Sequence, residues 1–343
     1  MGEPLASWTD GAAKAAIVEF VEGVTTPGGT DHVPPAERVA VFDNDGTLWC
    51  EKPMPIQLDF TIRRLAELAR DDPALRQRQP YKAAFEQDHH WLGAAMVKHY
   101  RGDDGDLGLL KDAVEQAFEA ISVQDYDRRV TSFFEEAVHP TLGHPYRACG
   151  YLPMVELLRY LEANGFTTYI ASGGDRDFMR PVAEQLYGIP PERVIGSALG
   201  LTYREADGGS ELLYKAAIEV FDDGPEKPVR IWSRIGRRPL LAFGNSTGTS
   251  RCWPLPAAQT ARRCACCCCT TMPTESSTTA AAPNRPWTGP PPTAGRWSAS
   301  STTGRSSSKQ HHHDQPANRP PDAGGADQGH GVGPGGAVPD GVR

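Results

Sequence analysis

The sequence predicts an α/β protein with a mainly parallel sheet, on three observations. Short apolar runs that end in turn residues recur along the chain: Arg38 to Phe42, Phe166 to Ala171, Val194 to Ser197 and Leu240 to Phe243. Such runs read as strands buried on both faces, as in a parallel sheet. Between them lie stretches with apolar residues at helical spacing, and strands alternating with helices imply crossover connections. With 343 residues the chain can hold one large or two small domains.

In chain order, residues 1–37 read as an N-terminal helix and linker. The helix runs from Trp8 to Val24, with Ala13, Ile17, Phe20 and Val21 on its apolar face and Thr9 or Asp10 as cap. A Pro/Gly-rich linker, Pro27 to Pro35, leads into the first strand. From Glu51 to about Tyr146 no segment reads as a strand. Four helical patterns follow one another instead: Ile56 to Asp71, Pro80 to Tyr100, Leu107 to Ile121 and Tyr126 to Ala137. A helix from Leu152 to Asn164 stops at Gly165. The second strand then ends in Ser172-Gly173-Gly174-Asp175, with Asp175 placed to cap a helix from Arg176 to Tyr187. Val194 to Ser197 reads as a third strand, and Leu199–Arg204 and Glu211–Lys215 as a hairpin turning at Asp207-Gly208-Gly209. Glu226-Lys227-Pro228 opens a basic helical segment.

The chemistry gathers at the end of the first strand. Asp43 and Asp45 stand one residue apart in a turn, at the edge where open α/β sheets bind ligands. Two acids so close repel unless a cation or a proton lies between them. Magnesium suits a hard oxygen site of one or two carboxylates completed by water and phosphate. The Ser172 hydroxyl and the backbone N–H groups of Gly173 and Gly174, beside a helix start, suit phosphate oxygens.

The string Val39-Ala-Val-Phe-Asp43-Asn-Asp45-Gly-Thr47 resembles motif I of the haloacid dehalogenase-like hydrolases, most of which are magnesium-dependent phosphatases. Ser172-Gly173 resembles motif II, and Gly244-Asn245-Ser246 resembles the start of motif IV. For the lysine of motif III, Lys227 is the favoured position and Lys215 the competing one. The resemblance implies a Rossmann-like three-layer core (38–49 and 148–250), with residues 50–147 as an α-helical cap inserted after the first strand. Ser-Gly-Gly and the helical cap lean towards the phosphoserine phosphatase-like branch. It further implies Asp43 as nucleophile and Asp45 as acid and base. Asp43, the Asp45 carbonyl and Asn245 would hold magnesium, and Thr47, Ser172, Gly173 and Lys227 would hold phosphate. The expected reaction is hydrolysis of a small phosphomonoester through an aspartyl-phosphate. A phosphotransferase or mutase with the same nucleophile, or an impaired remnant, are the alternatives.

A formal net charge of −8 argues against nucleic acid as partner. No N-terminal signal pattern or membrane-spanning apolar run is present, so a cytoplasmic, reduced protein is expected. Asp88-His89-His90-Trp91 reads as a solvated helix face, and Trp49, Trp91 and Arg101 as packing residues. The identity of the phosphate ester and the oligomeric state are not legible.

After Ser246 the composition changes: acidic and aliphatic residues nearly vanish, and Pro, Thr, Ser, Arg, Ala and Cys dominate. Positions 247 and 249 are Thr where motif IV carries Asp. Of the 8 cysteines, Cys252, Cys264 and Cys266 to Cys269 lie here, in no zinc-binding spacing. Residues 251–343 read as a low-complexity, disordered tail produced by a one-base slip of the reading frame. Re-read with the last base of each codon joined to the first two of the next, Thr247 to Trp253 becomes Asp-Gly-Asp-Ile-Pro-Met-Leu. In the same frame Ala265 to Thr279 begins Arg-Leu-Leu-Leu-Leu, a buried strand. His311-His-His is then read-through and not a metal site.

Overall fold

The computed structural model describes residues 5–100, 102–206, 209–245 and 265–268. In chain order the elements are α1 (Ala12–Thr25), β1 (Val39–Phe42), α2 (Ile56–Asp71), α3 (Tyr81–Glu86), α4 (His89–Tyr100), α5 (Gly105–Ala117) and α6 (Val123–Glu136). They continue with α7 (Leu152–Ala163), β2 (Thr167–Asp175), α8 (Arg176–Tyr187), β3 (Val194–Ala206), β4 (Gly209–Val220), α9 (Glu226–Ile235), β5 (Leu241–Gly244) and β6 (Ala265–Cys268). The six-stranded sheet has the order β4-β3-β2-β1-β5-β6. Among the described strands only the β3–β4 pair is antiparallel. The α/β class and the mainly parallel sheet are therefore as expected.

β1 shows why its run is apolar without alternation. Val39 and Val41 pack with Ala171, Ile195 and Ala242 against Ile231 of α9. Ala40 and Phe42 face the opposite side, in the larger core with Ile170, Leu241 and Phe243. Both faces of the central strand are covered, so all four residues are buried.

The helical stretch between β1 and α7 contains α2 to α6, and α2 keeps the predicted bounds. Several details depart from the sequence reading: α1 begins at Ala12, with Gly11 and neither Thr9 nor Asp10 at its N-cap, and three more lie further along the chain. The pattern over 80–100 is two helices, because Gln87 takes a left-handed conformation (φ 57°). Asp88 then caps α4, its Oδ1 accepting from the Trp91 N–H at 3.0 Å. Second, the predicted third strand and the first arm of the hairpin are one strand, β3, kinked by register shifts around Ala198 and Leu199. Third, β6 appears in the stretch expected to be an irregular tail. It lies parallel to β5, with Leu241 opposite Ala265 and Gly244 opposite Cys268. The uncovered edge of β5 offers the unpaired backbone groups that recruit such a strand. The rest of the tail, including Thr247, Thr249 and the His311 run, lies outside the described residues, as does Arg101. Among the described residues no helix is long and apolar enough to cross a membrane.

The helical stretch leaves and rejoins the sheet region at one place. Trp49 pairs antiparallel with Gly150. The Tyr151 N–H donates to the Leu48 carbonyl at 2.8 Å, and the Cys50 N–H to the Cys149 carbonyl at 3.2 Å. Beside this ladder an aromatic cluster joins α8 to the insert. The Phe178 ring lies 5.2 Å from Phe60, 5.3 Å from Phe134 and 6.2 Å from Trp49, between centroids. Phe178 is fully buried. Replacing Phe178 with Ala should therefore cost about 3–5 kcal/mol of unfolding free energy, read as a lower urea midpoint; an unchanged midpoint would remove the cluster from the stability of the fold.

Candidate active site

Because β1, β2, β3 and β5 run parallel, their carboxyl ends lie along one edge of the sheet. A cavity of about 380 Å³ opens there, lined by Asp43, Asp45, Ser172, Gly173, Lys227 and Asn245 among others. Six of the seven residues to which the resemblance gives a catalytic, metal or phosphate role thus share one cavity, and Gly174 lines it with them. The seventh, Thr47, is buried and does not line it.

The loop after β1 is a tight turn. The Asn44 carbonyl accepts from the N–H groups of Thr47, Leu48 and Trp49, at 3.0, 2.8 and 3.2 Å. Gly46 closes the turn at φ 68°, a conformation that costs glycine little. A Cβ there would fall 1.9 Å from the Asn245 Nδ2 and 2.8 Å from the Glu51 carboxyl carbon. Position 46 is thus kept bare so that Asn245, just after β5, can lie against the loop.

Asp43 is held from several directions. Its N–H donates to the Phe243 carbonyl at 2.8 Å, extending the β1–β5 pairing by one bond. Its Oδ1 accepts from the Asn44 N–H at 2.9 Å, and its Oδ2 accepts from the Lys227 ammonium at 2.8 Å. Lys227 is 3 % exposed and Asp43 8 %, so this ion pair is sealed from bulk water. Lys215 instead pairs with Glu219 on the exposed surface.

Asp45 differs from its neighbour. Burial pushes its carboxyl up to about 6, the charges of Asp43 and Glu51 act the same way, and the hydrogen bond from Trp49 opposes them. The Trp49 indole N–H donates to its Oδ1 at 2.8 Å. Trp49 is buried and stacks on Phe134, so it packs and also orients a carboxylate.

Ser172 is buried, and its Oγ accepts from the Gly174 N–H at 3.2 Å. That donor, read as a phosphate contact, is engaged internally in this state. Asp175 caps α8 as expected, accepting from the Asp177 N–H at 2.8 Å. The Asp175 N–H itself donates to Gln57 Oε1 at 2.8 Å, a contact from the helical stretch to the second strand. Apolar residues of the insert, including Leu58, Leu107 and Leu110, close the far side of the cavity. Asp88, His90 and Trp91 do not line it, and the His89 side chain lies outside the described residues.

Sequence reasoning missed Glu51, Gln57 and Asp222. Glu51 and Gln57 carry no local signal, since the fold alone brings them to the loop. Asp222 had one, because the Asp222-Asp223 pair stands just upstream of Lys227. Asp222 is 0 % exposed, and neither of its carboxylate oxygens has a hydrogen-bond partner among the described residues. Its N–H donates to Ser197 Oγ, and that hydroxyl donates to the Gly173 carbonyl at 2.8 Å. Burial pushes the Asp222 carboxyl up to about 7, against the opposing charges of Lys227 and Arg230.

A carboxyl raised in the folded state holds its proton there longer than in the unfolded chain. The stability it contributes is complete below the ordinary value of 3.8 and is lost as pH rises towards about 7. Asp45 and Asp175, both raised to about 6, finish their share earlier. Urea unfolding across this range should show stability falling by a few kcal/mol, and Asp222→Asn should flatten the last part of the fall. An equally steep fall in the variant would show that Asp222 is not the group responsible.

Comparison with known proteins gives one family. A family model described as haloacid dehalogenase-like hydrolase matches residues 40–218, more than half of the chain. No curated protein matches. Similar solved structures include a protein of unknown function from Bordetella pertussis Tohama I, at 18 % identity and a TM-score of 0.42, covering 62 % of this chain and 83 % of that one. A phosphoserine phosphohydrolase-like protein from Francisella tularensis subsp. tularensis SCHU S4 follows at 16 % identity and a TM-score of 0.34, covering 62 % and 81 %. A probable phosphoserine phosphatase from Vibrio cholerae has 12 % identity and a TM-score of 0.33, covering 62 % and 52 %. With the aspartate loop of the motif standing at the sheet edge within the matched residues, the chain belongs to the haloacid dehalogenase-like hydrolases.

Proposed function

We propose that the protein is a phosphatase acting on a small phosphomonoester, with Asp43 as nucleophile. The observation that carries this reading is the buried Lys227–Asp43 pair at 2.8 Å, in the wall of a cavity that Asp45 and Ser172 also line. In this reading an Asp43 oxygen attacks phosphorus in line with the departing alcohol oxygen. The P–O bond to the alcohol breaks, and Asp45 gives that oxygen its proton. A carboxyl near 6 holds a proton often enough to do this close to neutral pH. Asp45 then takes a proton from water, which attacks the aspartyl-phosphate and releases phosphate with Asp43 restored. Lys227 and Ser172 hold the equatorial oxygens and offset the charge that develops there.

The donor set fits magnesium. Asp43, the Asp45 carbonyl and the Asn245 amide offer oxygen ligands without sulfur or imidazole, and Asn245 lies against Gly46 in the same loop. Among the described residues no group of three His, Cys, Asp or Glu side chains is placed to hold an ion, so backbone, amide and substrate oxygens would complete the shell. The ion would supply charge neutralisation for the phosphoryl group. The helical insert 50–147 acts as a cap that encloses the alcohol portion of the substrate. The chain works in the cytoplasm on a soluble phosphorylated metabolite, with neither nucleic acid nor membrane as partner.

With an aryl phosphate and magnesium, Asp43→Asn should lower turnover by about a thousandfold or more, and rapid quenching should trap phosphate on the wild-type chain only. Unchanged turnover in the variant would refute the nucleophile. The Thr at 247 and 249 favours a second reading, in which this chain is impaired relative to its shifted-frame counterpart. Re-encoding it from codon 247 onward in the shifted frame should raise kcat/KM by about tenfold or more; equal activity of the two chains would discard the frame slip as a functional defect.

A further inference from the structure

Cys50 and Cys149 are both buried and free, and no step assigned to the cavity uses them. They occupy the point where the helical insert leaves the first strand and where it returns. Trp49 pairs antiparallel with Gly150, which sets Cys50 directly opposite Cys149, and the Cys50 N–H donates to the Cys149 carbonyl at 3.2 Å. Opposed residues in an antiparallel pair have Cα atoms about 4.5–5.5 Å apart, inside the range of about 4.4–6.8 Å that a disulfide spans. The Cys149 thiol donates to the Pro145 carbonyl at 3.7 Å. We propose that Cys50 and Cys149 are an oxidisable pair, and that their disulfide locks the two ends of the helical insert together.

Chemistry and placement agree on how the pair would react. The contact with Cys50 lowers the Cys149 thiol, while the same contact and burial push Cys50 up, so Cys149 is the sulfur that ionises first. With a peroxide as oxidant, the Cys149 thiolate takes one oxygen and becomes a sulfenic acid; the other oxygen leaves as hydroxide and picks up the thiol proton as water. Cys50 sulfur then attacks Cys149 sulfur, the S–S bond forms, and the sulfenic oxygen leaves with the Cys50 proton as a second water. The two thiols lose two electrons and the peroxide gains them. The lock abuts the cavity, because Trp49 orients Asp45 on one side of Cys50 and Glu51 lines the cavity on the other. The two cysteines face each other across this ladder whatever reaction the cavity performs.

The test uses the full chain, first reduced, then treated with hydrogen peroxide, alkylated and digested without reductant. Mass spectrometry should find a Cys50–Cys149 linked peptide lighter by two hydrogens, released by dithiothreitol and absent from Cys50→Ser. Amide exchange over 47–52 and 147–151 should slow by about tenfold on linkage. Three results would overturn the proposal: both cysteines still open to alkylation after oxidation, linkage of either one only to cysteines beyond position 250, or a linked pair with unchanged exchange.

Discussion

A buried ion pair is the constraint on which the site depends. Lys227 and Asp43 are far apart in sequence, yet their charged ends meet at 2.8 Å with almost no access to water. Charges removed from solvent are costly unless each has its partner, and losing one partner is worse than losing both. Both partners are also anchored to the sheet and its helix: Asp43 is tied to β5 and to Asn44 by backbone N–H groups, and Lys227 sits in the first turn of α9. Whatever displaces α9 from the sheet therefore strands a carboxylate. Ile231, buried against both β1 and β5 residues, is the apolar half of the same attachment.

The electrostatic character of the cavity follows from unequal treatment of similar groups. Asp43 meets a cation and a backbone N–H, while Asp45 meets an indole N–H and two neighbouring acids. One loop thereby carries a carboxylate in an ion pair and another poised to exchange a proton near neutrality. Asp222 adds a third acid, wholly enclosed, whose backbone anchors Ser197 and through it the Gly173 carbonyl. Such uncompensated groups are expected close to functional sites and seldom elsewhere.

Much of this was legible in the residues because strand ends in a parallel sheet share an edge. Once Asp43, Ser172 and Asn245 each ended a buried run, their convergence needed no further information. Lys227 could be ranked over Lys215 by its place before the last strand, and the structure puts its ammonium on Asp43 while Lys215 faces Glu219. Thr47 was chosen by the motif alone and is instead buried away from the cavity. Gln57 and Glu51 were invisible because their contacts are made across more than a hundred residues or depend on a bare Gly46. The break at Gln87 was readable in principle from Asp88 as a cap and from the run of five polar residues, Glu86 to His90, around it. The length of β3 was hidden at Ala198, where the sequence reading ended one strand and began the next, although the chain continues there as one bent strand.

The central place of β1 has a consequence for how the chain comes off the ribosome. β1 pairs with β2 and with β5, whose partner residues begin at Thr167 and Leu241. The helices of the insert can form from local contacts as they emerge, whereas β1 must wait for partners made much later. Until Phe243 has been translated, one flank of the nascent strand has nothing to bond, and the aspartate loop stays unset. A strand made about two hundred residues later, β5, completes the first.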